Sequence, residues 1–124
     1  MSTVHANSPR DALMRCENMI LLAGFDLPVR FIREQMSSAL HIILQLARFV
    51  DGSRKVVSVA EVTGMESTTV TMQEIFRFNQ EGIDANGRVL GQLIPTGIQP
   101  RFTEHLEKAG VHLTENMFAV GERW

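Results

Sequence analysis

With 124 residues, 44% of them hydrophobic and 21% charged, the chain has the size of one domain with a modest core. A net charge of −2 offers no basic stripe to displace counterions from a phosphate backbone, which argues against nucleic acid as a partner. The lone cysteine, Cys16, excludes an intrachain disulfide, runs such as Met19–Ala23 are far too short for a membrane span, and no signal peptide is legible, so the expected location is cytoplasmic.

In chain order, Thr3-Val4-His5 reads as the end of a buried strand. Ser8 then stands as an N-cap, with Pro9 at the first helical position and Asp11 in the first turn, and a helix is expected from Pro9 to about Ala23, stopped by Gly24. Asp26 and Pro28 open a second helix. Its apolar stripe of Val29, Ile32, Met36, Ala39, Leu40, Ile43 and Leu46 runs at helical spacing to near Phe49, where Asp51-Gly52 breaks the pattern. From Lys55 the period changes to that of a strand through Val56, Val57, Val59 and Val62, with Gly64 as its end or a bulge. A second strand covers Thr68–Met72, Gln73–Phe76 reads as one helical turn, and Arg77–Asn79 as strand again. Asp84-Ala85-Asn86-Gly87 is a hairpin turn, and Arg88–Leu93 returns as its partner. Pro100 opens a short helix through Phe102, Leu106 and Ala109, closed by Gly110. The tail from Val111 to Trp124 reads as peripheral and loosely ordered.

Among residues able to carry chemistry, His5 is the foremost. A polar histidine delivered beside a helix start is well placed for a phosphate, although a histidine satisfied by backbone at a strand end has the same sequence appearance. Arg15 lies on the same side of the first helix as Ala12 and Met19. It cannot reach Glu17, two residues on, and reads either as a partner for a carboxylate elsewhere or as a solvated side chain. Arg10 opposes the dipole of the first helix. Arg30 and Arg33 do the same at the start of the second, which an acidic neighbour such as another subunit of a ring accounts for, with a solvated face as the plain alternative. His105 and His112 are spaced to share a helical face, but Gly110 intervenes and no further ligand completes a metal set. His41 reads as a helix-surface residue, Cys16 as a packed thiol, the seven methionines as adaptable filler, and Glu61, Glu66 and Glu74 as framework.

Taken in order, His5-Ala6-Asn7-Ser8-Pro9-Arg10-Asp11-Ala12-Leu13 with Arg15 and Glu17, then Ala23–Pro28, Ile32–Gln35, Glu61–Glu66, Gln80–Gly82, Ala85–Gly87 and Thr96–Ile98, resemble the type II/type IV secretion ATPases. The likeness is strongest to the CpaF-like branch that drives tight-adherence (Flp) pilus assembly, and it extends to about Leu113. Cys16 and Phe31 depart from the leucine and the small residue usual there. The resemblance implies an α/β fold that is the C-terminal portion of a RecA-like P-loop ATPase domain: two helices, antiparallel strands with a hairpin, and a short capping helix. Residues 1–50 would hold the histidine box and the helices, 51–98 the strands, and 99–124 the short helix and tail.

The resemblance also implies a hexameric ring, peripheral at the inner membrane, that acts on a pilus or secretion platform protein. His5 matches the box histidine beside the γ-phosphate and Arg15 the box arginine. ATP and Mg serve the intact protein. In such ATPases the phosphate loop, the magnesium-binding carboxylates and the partner arginines precede the histidine box. No Gly-x-x-x-x-Gly-Lys-Ser/Thr run occurs in these residues, so this chain alone is expected neither to bind nor to hydrolyse ATP. It is read as a cut piece, an excised domain or a truncated reading frame. The competing expectation is a non-catalytic protein-interaction module that associates with a full-length ring.

Overall fold

Residues 3–24, 26–111 and 117–118 are described by a computed structural model, and among them three helices and a four-stranded antiparallel sheet form a small α/β fold. Helix α1 (Pro9–Leu22) begins as its sequence dictates: Ser8 Oγ accepts from the Asp11 N–H at 3.0 Å, and Pro9 occupies the first turn. Helix α2 (Val29–Ala39) follows, with Ile32 and Met36 as its buried residues. The strands β1 (Ile42–Arg48), β2 (Arg54–Glu66), β3 (Thr69–Ile83) and β4 (Val89–Pro95) form a meander in the order β1-β2-β3-β4. Helix α3 (Phe102–Lys108) closes the regular structure. No helix among the described residues is long and apolar enough to cross a membrane.

Within the sheet, two expectations about elements give way. The apolar stripe of α2 continues at helical spacing to Phe49, but the helix ends at Ala39 and, after Leu40 and His41, the seven residues Ile42–Arg48 are β1, paired with β2 from Ile42↔Glu61 to Arg48↔Arg54. The run Ile42-Ile43-Leu44 satisfies either period, and the ladder offered by β2 settles it. His41 accordingly sits in the α2–β1 connection rather than on a helix, where its carbonyl accepts from the Val62 N–H. Asp51-Gly52, read as a helix break, is the β1–β2 hairpin turn, in which the Phe49 N–H donates to Ser53 O.

Gln73–Phe76 likewise is no helical turn but the middle of β3, a single 15-residue strand. Its polar pair is engaged across the sheet. Gln73 Nε2 donates to Glu61 Oε1 at 2.9 Å, Ser58 Oγ donates to Glu74 Oε2 at 2.7 Å, and Ile75, the next residue along β3, is fully buried. The expected Gly64 bulge is present, with the register slipping between Val62 and Gly64 at a φ of 139°. The Asp84–Gly87 hairpin also stands where its residues place it.

The core lies between α1, α2 and one face of the sheet, where Leu13, Ile32, Met36, Val62 and Val70 pack together. Glu61 points to the opposite face from Val62, because successive strand residues alternate. From there its carboxylate accepts from the Arg101 and Phe102 N–H groups at 2.8 and 2.9 Å, holding the start of α3 on that face. Phe118 adds ring contacts to Phe76 and Phe102 on the same side. The rest of the expected tail, 112–116 and 119–124, lies outside the described residues.

Candidate functional site

Thr3-Val4-His5 is not a strand. These residues are exposed and irregular, and no backbone ladder joins them to the sheet. They hang beside β1 through one side chain, Gln45, whose Nε2 donates to Ala6 O at 2.9 Å. A β-type sequence becomes a strand only when a neighbouring edge takes up its N–H and C=O groups, and among the described residues none does so here.

That suspension places His5 at the wall of an open groove of about 520 Å³ that runs along the outer side of α1. Asp11, Arg15 and Asn18 supply its polar lining, and Met14, Met19 and Leu22 its apolar lining. The acid and base of the groove are joined, for Arg15 Nε lies 3.1 Å from Asp11 Oδ2, one helical turn back. The same Asp11 oxygen accepts from the Asn7 N–H at 3.0 Å. The Asn7 hydrogen bond, followed by the hydrogen bond and charge of Arg15, holds the Asp11 carboxyl below its usual range. Asp11 is the partner that Arg15 finds on its own helix, and the signal for it in the sequence is the spacing of four with the acid N-terminal.

Glu17 has a different partner. It is buried on α1, and Arg33 Nε approaches its Oε1 at 3.2 Å. The Arg33 Nη1 donates to Thr68 O at 2.9 Å, so this guanidinium ties α2 to α1 and to the β2–β3 turn. Arg30 pairs with Glu34 on its own helix at 3.2 Å, on the exposed side. Arg10, badly placed for the dipole of α1, is satisfied instead by donating to Val70 O at 2.9 Å. The four nominated residues thus fall into two groups: His5 and Arg15 share the groove, whereas Arg30 and Arg33 lie on α2 with partners inside the chain.

Among the described residues, no three His, Cys, Asp or Glu side chains gather as a metal centre; His105 is in α3, and His112 lies outside those residues. The groove does not fit a nucleoside triphosphate by itself. It offers an imidazole and a guanidinium already paired to a carboxylate, and the chain has no glycine-rich phosphate cradle with a lysine. When compared with protein-family models and with curated proteins, the chain matches none.

Proposed function

We propose that this chain is the C-terminal part of a RecA-like secretion-ATPase motor of the type II/type IV kind, acting in a hexameric ring at the inner membrane on a pilus or secretion platform. The ordered motifs from His5 to Ile98 support this reading. The observation that carries it is the exposed His5 imidazole in one groove with the Asp11–Arg15 pair, over an apolar lining of Met14, Met19 and Leu22 that no described residue covers. A surface of that kind suits completion by another segment that bears a phosphate loop.

In that assembly ATP, with magnesium, supplies the phosphoanhydride that is cleaved. This chain's part is positional. Asp11 fixes the Arg15 guanidinium, and His5 contributes an imidazole to the wall of the groove. Helix α1 links the groove to the core through Leu13, through Arg10 on Val70 O and through Glu17 on Arg33. The expected outcome of reading the coding DNA upstream of Met1, in frame, is a Gly-x-x-x-x-Gly-Lys-Ser/Thr run. A start signal without one overturns the reading. So does ATP turnover by the purified 124-residue chain that survives His5→Ala.

A second reading, a non-catalytic module that joins a full-length ring, is favoured by the exposed apolar row Ile42, Leu44 and Leu46 on edge strand β1. Co-purification of the chain with such a ring, together with a start signal and no upstream phosphate loop, selects it.

A further inference from the structure

The two hairpin turns at one end of the sheet are fastened together. Asp51, in the β1–β2 turn, accepts the Val89 N–H at the start of β4 at 2.8 Å, and the rings of Phe49 and Phe78 lie 5.2 Å apart beneath. The end so formed is apolar at its tips: Val50 is 87% exposed, Ile83 55% and Leu90 46%. It is cationic around them, through Arg48, Arg54, Lys55 and Arg88. Arg48 and Arg54 stand directly opposite each other in the ladder, a like-charge pairing that opposes strand association. Neither they nor Arg88 make an ion pair among the described residues. The local acids are Asp51, Asp84 and Glu81. Asp51 and Asp84 turn their oxygens to backbone N–H groups, and Glu81 accepts from Gln92. In a chain of net charge −2, this end carries an excess of positive charge.

We propose that this end docks on an anionic phospholipid surface, with Val50 entering the headgroup region and Arg48, Arg54, Lys55 and Arg88 meeting lipid phosphates. Separate apolar tips on two adjoining turns, each flanked by cations, suit a deformable planar surface, and anionic phosphates relieve the Arg48–Arg54 repulsion. The inference rests on the hairpin end alone and is independent of the motor reading.

Vesicle flotation of the full chain tests it, with phosphatidylcholine alone against vesicles in which about one third of the lipid is phosphatidylglycerol. Binding is expected on the anionic vesicles only, and it weakens as salt is raised. The double variant Arg48→Gln/Arg54→Gln is expected to bind about thirtyfold more weakly, at roughly fivefold per cation. Val50→Asp also weakens binding, and Lys108→Gln, at an exposed position of α3 far from the hairpin turns in sequence, leaves it unchanged. Circular dichroism confirms that each variant is folded, which removal of a like-charge pair and of an exposed valine favours. Absence of binding to anionic vesicles, binding indifferent to the Arg48/Arg54 change, or capture by polyglutamate without vesicle binding each overturns the proposal.

Discussion

Two carboxylates accept backbone N–H groups from a distant part of the chain, Glu61 on one face of the sheet and Asp51 at its hairpin end, and the two settings differ. Glu61 is 4% exposed and receives Arg101 N and Phe102 N at the start of α3, and Gln73 Nε2 from β3. Asp51 stands in an exposed turn and receives the Ser53 N–H and hydroxyl together with Val89 N. The hydrogen bonds are alike in kind. What differs is the alternative left when the carboxylate is removed. Asp51 is exposed, so water takes its place toward the Ser53 N–H and hydroxyl, whereas Glu61 is buried and water has little access to the position its carboxylate leaves.

The largest effect follows from that contrast. Glu61→Ala is expected to cost about 3 kcal/mol in denaturant unfolding, with α3 becoming the first site of proteolytic cutting. A loss no greater than that of Asp51→Ala breaks the comparison. Glu61→Gln keeps one acceptor oxygen and should fall between wild type and Glu61→Ala in the same titration.

Asp51→Asn is expected to produce a smaller fall in melting midpoint at neutral pH, and its signature is the pH dependence. Hydrogen bonds from the Ser53 hydroxyl, then from Val89 N and Ser53 N, hold the Asp51 carboxyl down at about 2, against an ordinary 3.8. A carboxyl depressed in the fold contributes stability that is fully present above 3.8 and is lost as pH falls through about 2. Wild type should therefore lose melting midpoint across that window more steeply than Asp51→Asn, as thermal scans at stepped pH will show. Parallel curves for the two proteins contradict the assignment.

The smallest effect is on the outer face of α2. Arg30 and Glu34 form a solvent-exposed pair, and Arg30→Gln should change stability by no more than about 0.5 kcal/mol, with the difference vanishing at high salt. Arg33 offers the sharper contrast. Its side chain is only about half as exposed as that of Arg30, and it bridges Glu17 and Thr68 O, so Arg33→Gln should cost more than Arg30→Gln in the same denaturant series.

Much of the candidate site was readable from neighbours in sequence. The Ser8-Pro9 start of α1 and the presence of His5 just before it are local facts, and the four-residue step from Asp11 to Arg15 is equally local. The use of Arg33 and Glu61 was not readable in this way. Their partners are 16 and 40 residues away, at Glu17 and Arg101, and nothing in the composition around Glu61 separates a framework carboxylate from one that holds a helix start.

By itself, the sequence determined the elements whose signals are complete within a few residues: the capped start of α1 and the Asp84–Gly87 hairpin. Those rest on backbone geometry and on caps that need no distant partner. Only the tertiary structure decided that Ile42–Arg48 is a strand rather than the end of α2, that β3 runs unbroken through Gln73 and Glu74, and that Thr3–His5 is an exposed strap. In each case the same residues suit more than one conformation, and the outcome depends on whether a neighbouring strand is there to take up the backbone hydrogen bonds.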